Sequence, residues 1–187
     1  MPKIIEGIED KIFTSAFDLF AEHGYKNVDM KIIAKKSGIA VGTLYNYYPN
    51  KKTLFLNVFS KSWIDTFKKL DNIIYGSLDK RIKIKKFVQI LYDEIYERKG
   101  MGKHLIKSTK FNNQEINIKE ELLLRLKKII SSDEKDEELK CKYEMRLLET
   151  ILVTVITMMN EHTDEYEENI DYLSNYLWVI YQNIEKY

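Results

Sequence analysis

Cysteine, proline and glycine are all scarce in this chain, and each scarcity excludes something. Cys141 is the single cysteine, so the 187 residues hold no internal disulfide and no thiolate cluster for a metal; a reducing cytoplasm is the expected compartment. Only Pro2 and Pro49 and seven glycines interrupt the sequence, which leaves room for long unbroken helices. The three histidines, His23, His104 and His162, stand far apart, and none has a metal-ligating neighbour at helical spacing. A nucleophile elbow, a phosphate-binding glycine loop and a dinucleotide fingerprint are all missing, which argues against an enzyme and against a bound cofactor. Met1 to Asp10 lacks the basic-then-apolar pattern of a secretion signal, and the most apolar stretch, Leu147 to Met159, is too short to span a bilayer. No membrane association is expected.

What is present is apolar and charged material in helical rhythm: 44% hydrophobic and 32% charged residues with a net charge of +1. The charge is unevenly placed. Lys26, Lys31, Lys35, Lys36, Lys51 and Lys52 face a single acid, Asp29, whereas residues 61–187 hold 22 basic and 23 acidic side chains. A basic head on a balanced body suggests an end that meets phosphate, although a lysine-rich composition can also cluster by chance.

The spacing predicts a first helix from Ile4 to His23, with Ile8, Ile12, Phe13, Ala16, Phe17 and Phe20 on one face and Gly24 closing it. A short second helix starts near Asn27 or Asp29, buries Met30, Ile33 and Ala34, and stops at Ser37-Gly38. A third runs from Val41 to Tyr47 before Pro49. Asn50 caps a fourth, whose inner face carries Leu54, Phe55, Val58, Phe59, Trp63 and Phe67. Two short helices joined across Gly38 have the size of a helix-turn-helix, here residues 29–48, with Ile33, Ala34, Ile39 and Leu44 as its hub; an ordinary helical hairpin is the alternative. Beyond it, helices are expected over Arg81–Arg98, Gly102–Lys110, Asn113–Ile130, Glu137–Met159 and Glu165–Glu185.

The stretch from Ile12 to Phe55 resembles the DNA-binding domain of the tetracycline-repressor (TetR) family. Ala16 to Phe20, Glu22-His23-Gly24-Tyr25, Ile33-Ala34, Gly38-Ile39, Gly42-Thr43-Leu44-Tyr45, Tyr47-Tyr48, Asn50-Lys51 and Leu54-Phe55 carry the likeness together. It implies an all-α fold, with an N-terminal helix-turn-helix domain over residues 6–66 and a helical effector-binding and dimerisation domain over 67–187. It implies a transcriptional regulator, as a rule a repressor, that leaves an inverted-repeat operator when a small molecule binds. Its DNA-facing residues would be Lys31, Ala40, Val41, Gly42, Thr43, Tyr45, Asn46, Tyr47 and Lys51. Of these, Ala40, Val41 and Gly42 are small enough for close backbone approach, and Thr43 can meet a phosphate, a base or a thymine methyl. Tyr45 and Tyr47 are assigned to DNA by the resemblance and Tyr48 to packing, while Asn46 can read a base edge or be solvated. Lys51 opposes the dipole of the fourth helix, a conflict that a phosphate would remove. Val28-Asp29 depart from the Thr or Ser usual in the family, and Asp29 is expected to cap the second helix instead.

In the body, nine of the thirteen positions from Leu147 to Met159 are apolar, so that helix needs partners on several sides. It is either a buried central helix or, with the last helix, half of a four-helix interface with a second copy, through about residues 140–161 and 165–186. Leu177 is expected on the outer face, and Ile151 and Val155 in that interface or the adjoining core. Trp63, Phe67, Tyr92, Tyr96, His104 and Phe111 are candidate pocket residues, with plain core as the alternative for each. A helical protein-interaction module remains the competing reading of the whole.

Overall fold

The computed structural model describes residues 7–98, 101, 117–130 and 137–184, and within the last segment the side chains of 145–183. Regular structure among the described residues is entirely helical: α1 (Ile8–Asn27), α2 (Met30–Lys36), α3 (Val41–Tyr47), α4 (Lys51–Ser62), α5 (Ile64–Tyr75), α6 (Lys80–Glu97), α7 (Ile118–Ile130), α8 (Glu137–Glu161) and α9 (Tyr166–Ile184). The helix expected over Gly102–Lys110 lies outside the described residues, as do His104 and Phe111.

In the head, α1 packs on α2 and α4, and α2 packs on α3. Ile12, Ala16, Phe20, Ile33, Ala34, Leu44, Leu54 and Val58 are all fully buried. Phe55 meets Phe20 and Tyr25 edge-on, each at 5.0 Å between ring centres. Leu44 is the one side chain of α3 that is fully buried in this core. Leu44→Ala is therefore expected to cost about 2–5 kcal/mol of stability, the usual range for a buried leucine, measured by urea unfolding.

The first helix starts at Ile8, after Gly7 at a left-handed φ of 75°, and not at Ile4, and two further boundaries differ from the sequence reading. Gly24 does take a left-handed φ of 74°, but it kinks α1 and does not end it; helical geometry resumes and runs to Asn27. The expected fourth helix is two helices, because the chain steps out of register at Trp63, where the amide turns back to the Ser60 carbonyl at 3.1 Å. Below that step α5 packs on α6 and α7, α6 on α9, and α8 on α7 and α9.

The face of the last two helices is also corrected. Ile151, Leu152 and Val155 of α8, and Leu173 and Leu177 of α9, are buried within the single chain. Leu177, at 0% exposure, is core and not outer face. The large apolar side chains left outside are Val153 on α8 and Tyr172, Tyr176 and Val179 on α9. Both helices are apolar around much of their circumference, so periodicity alone could not say which stripe the chain keeps for itself.

Candidate nucleic-acid interface

The helix-turn-helix is built from local devices. Asp29 caps α2, its carboxylate accepting from the Ile32 amide at 2.8 Å, as the sequence suggested. The turn closes in a Schellman arrangement: Ile39 N–H reaches back to the Ala34 carbonyl (3.0 Å) and Gly38 N–H to that of Lys35 (3.2 Å). Gly38 holds the left-handed φ of 70° that this arrangement needs. Ser37 is buried and its hydroxyl donates to the Ile33 carbonyl at 2.8 Å. Asn50 caps α4, accepting from the Thr53 amide at 2.9 Å.

These devices set the outward surface of α2 and α3. Lys31, Ala40, Gly42, Tyr45 and Asn46 are exposed, Val41, Thr43 and Tyr47 are half-buried, and Leu44 is buried. Val41, Tyr47 and Tyr48 each lay part of their surface on the core. Tyr48 donates to Asn57 Oδ1 at 3.2 Å, and burial, with the nearby charge of Glu9, pushes its phenol above the usual value. Lys36 is drawn to Asp18 on α1 (2.8 Å), whereas Lys26, Lys31 and Lys35 make no ion pair among the described residues.

Gly42 is informative because nothing inside the molecule asks for it. A Cβ at that position would meet no atom within 4 Å, and its backbone is not left-handed. Glycine within a helix costs roughly 0.5–1 kcal/mol relative to alanine, so the fold alone favours a larger residue there.

Lys51 has a task that the sequence did not reveal. Its ammonium donates to the carbonyls of Tyr25 and Val28, both at 2.8 Å, and lies 4.4 Å from the centre of the Tyr25 ring. The carbonyls belong to the end of α1 beyond the Gly24 kink and to the link into α2. Lys51 thus ties the start of α4 to the approach of the helix-turn-helix, and one N–H of three is left for another acceptor. A dipole argument made along α4 could not see carbonyls contributed from 23 and 26 residues upstream.

The candidate pocket residues separate. Trp63 and Phe67 come together, with ring centres 6.1 Å apart, and both are buried. The Arg98 guanidinium lies 4.6 Å from the Trp63 ring centre, and that of Arg125 4.4 Å from that of Phe67. Tyr92 is elsewhere: it packs edge-on against Tyr166 (5.4 Å), and its hydroxyl accepts from buried Asn169 (3.2 Å), which joins α6 to α9. Tyr96 lies on the surface at 55% exposure. Arg98, Arg125, Glu94 and Thr66 were not identified from sequence, because isolated charges inside amphipathic helices read as solvated.

Residues 12–58 match the model of the bacterial regulatory proteins of the tetR family. An HTH-type regulator of Bacillus subtilis (strain 168), YuxN, is 33% identical over 91 residues; the match covers 49% of this chain, which spans about a third (31%) of that relative's length. An HTH-type transcriptional regulator of Staphylococcus aureus (strain USA300) is 27% identical over 174 residues, covering 89% of this chain and 88% of its own. Among solved structures, the transcriptional regulator FadR of Bacillus subtilis, in complex with stearoyl-CoA, superimposes with a TM-score of 0.63 over 90% of this chain and 97% of its own, at 18% identity. These relatives are regulators and not enzymes. Residues 12–58, within an all-helical fold, thus carry the pattern of the tetR family of bacterial regulatory proteins.

Proposed function

We propose that the chain is a DNA-binding transcriptional regulator, acting in the cytoplasm as a homodimer that represses until a small molecule binds. The observation that carries the reading is the outward face of α3. There Ala40 and Gly42 keep the surface low, Gly42 serves no internal need, and Tyr45 and Asn46 stand exposed beside Lys31. A helix in the major groove requires low relief where its backbone approaches and reaching side chains next to it. Tyr45, Asn46 and Thr43 would meet base edges or phosphates, Tyr47 would do so with the half of its ring left outside, and Lys31 would meet the phosphate backbone. Two such heads related by a two-fold axis would read an inverted repeat.

Lys51 would serve both structure and DNA. Lys51→Met removes a cation from two carbonyls, so stability should fall by about 1.5–3 kcal/mol, the usual worth of a hydrogen bond to a charged group. If its remaining N–H meets a phosphate, the slope of log affinity against log salt should also flatten by about one unit. Lys31→Ala should flatten the slope equally with no change in melting. Anisotropy titrations of promoter DNA across a salt series, paired with thermal melts, check both. Binding that does not vary with salt would end the DNA reading.

An effector would bind around Trp63 and Phe67. Two buried donors there, Trp63 Nε1 and Arg125 Nε, have no hydrogen-bond partner among the described residues. A buried donor left unpaired costs about 1–3 kcal/mol, which an arriving acceptor would recover. A ligand with an apolar body and an acceptor-bearing group meets both needs; the stearoyl-CoA bound by FadR is one such molecule.

A further inference from the structure

The residues that join head to body are held from one point. Arg98 follows the last residue of α6, and its side chain is 5% exposed although it carries a guanidinium. Nε donates to Ser62 Oγ at 2.9 Å. One terminal nitrogen donates to the Ser62 carbonyl and to Thr66 Oγ1 (3.1 Å). The other donates to the Glu94 carbonyl (2.7 Å) and carboxylate (2.6 Å). Its plane covers the Trp63 indole. Glu94 accepts in addition from Thr66 Oγ1 at 2.7 Å and from Lys69 at 2.5 Å. Burial pushes the Glu94 carboxyl up, but the hydrogen bonds from Lys69, Thr66 and Arg98 outweigh it and hold the group below the usual carboxylate range. The guanidinium therefore keeps its counter-charge at neutral pH.

The contacts fall on both sides of the α4–α5 step. Ser62 ends α4, Trp63 is the step itself, and Thr66 and Lys69 lie on α5. A step in a helical rod is where it bends most easily, since neighbouring hydrogen bonds no longer run in one ladder. A planar fork that spans such a step with several N–H groups resists bending in a way that a single-point contact does not.

We infer that Arg98 is a positioning residue that sets the angle between the head and the body. With its fork on Ser62 and Thr66, α4 and α5 keep one bend; with the fork withdrawn, the head swings about Trp63. The inference rests on the regulator reading for its consequence at DNA, because the swing changes where the two heads of a dimer stand. It also gives the body a route to the head. The Met101 amide donates to the Arg98 carbonyl at 2.6 Å, so a shift of the chain just after α6 pulls on the clamp.

The test uses the full chain with Cys141→Ser and two new thiols at exposed positions, Glu22→Cys on α1 and Lys86→Cys on α6. Spin labels on these, in chains diluted with unlabelled protein, report the head-to-body distance by double electron–electron resonance. A single narrow distribution is expected for the parent. Arg98→Met should broaden or shift it while helix content is kept, and Arg98→Lys should restore part of the sharpness, because one ammonium cannot serve Ser62, Thr66 and Glu94 together. A folded Arg98→Met chain with the parent's distribution overturns the proposal. If that variant does not fold, an unchanged distribution in Arg98→Lys overturns it. Operator affinity is measured on the same variants, with a fall of about 5- to 150-fold expected for Arg98→Met, the range of ordinary coupling between sites. A broadened distribution beside absent DNA binding by the parent would support the clamp and refute the regulator reading separately.

Discussion

Gly42→Ala should leave the protein as stable as the parent, or slightly more so, and lower its operator affinity on the order of 100-fold. The two halves of that expectation have separate causes. Inside the molecule the added methyl meets nothing within 4 Å and the backbone is ordinary helix, so the exchange brings the usual gain of alanine over glycine, at most about 1 kcal/mol near the helix start. Against DNA the same methyl stands where the helix backbone would come closest. One extra methyl in a closely packed contact costs about 1–3 kcal/mol, and a two-fold dimer meets that cost twice. The sum, about 2–6 kcal/mol, corresponds to roughly 30-fold or more in affinity. Anisotropy titration gives the affinity and a thermal melt gives the stability. Gly38→Ala is the internal contrast. It also has open space around it, but its φ of 70° penalises any Cβ, so it should lower the melting temperature. An alanine at 42 that binds DNA as well as glycine would show that α3 does not approach a duplex at that point.

The difference between those two glycines marks how far the sequence could be read. Gly38 was legible, because a left-handed turn between two short apolar patterns leaves a local signature, and the Schellman bonds are where that signature put them. Asp29 and Asn50 were legible as caps for the same reason: each accepts from an amide three residues on. The step at Trp63 was not. It joins two helices of continuous apolar pattern, and the groups that hold it come from Glu94 and Arg98, more than thirty positions away. Lys51 failed in the same way, since its partners are carbonyls of the α1–α2 link and not neighbours on its own helix. Tyr92 and Tyr96, one turn apart on α6, were both candidates for a pocket, with plain core as the alternative for each. The first is tied to Asn169 and packed against Tyr166 of α9, and the second is exposed.

In the proposed homodimer, Val153→Glu combined with Val179→Glu should give a folded monomer without operator binding. Once the core is filled, each of the two helices leaves an apolar stripe outside. On α8, Thr150, Val153 and Thr157 follow one another at helical spacing on the outer surface. The threonine hydroxyls are engaged by the helix's own backbone, Thr150 donating to the Arg146 carbonyl (2.8 Å) and Thr157 to that of Val153 (3.0 Å). What this stripe presents outward is therefore mostly methyl groups. On α9, Tyr172, Tyr176 and Val179 continue at the same spacing, with Val179 at 53% exposure and the two tyrosine rings stacked on each other at 6.4 Å. Two apolar stripes on adjacent packed helices form a surface that a symmetry copy can cover with its own identical pair. A permanent interface of this kind buries upwards of about 1,200 Å² in total. In the single chain both valines face water, so glutamate there should cost the fold no more than about 0.5 kcal/mol. In the dimer it places four carboxylates in one apolar contact, each needing hydration that the contact denies, at several kcal/mol together. Sedimentation should fall from twice the 22.3 kDa chain mass to once that mass at micromolar concentration, with helix content unchanged. Leu177→Lys serves as the control for the corrected face. With Leu177 at 0% exposure in the core of the single chain, that variant should unfold and not simply dissociate. A parent that sediments as one chain would end the dimer reading, and a double glutamate variant that remains dimeric would move the interface away from these helices.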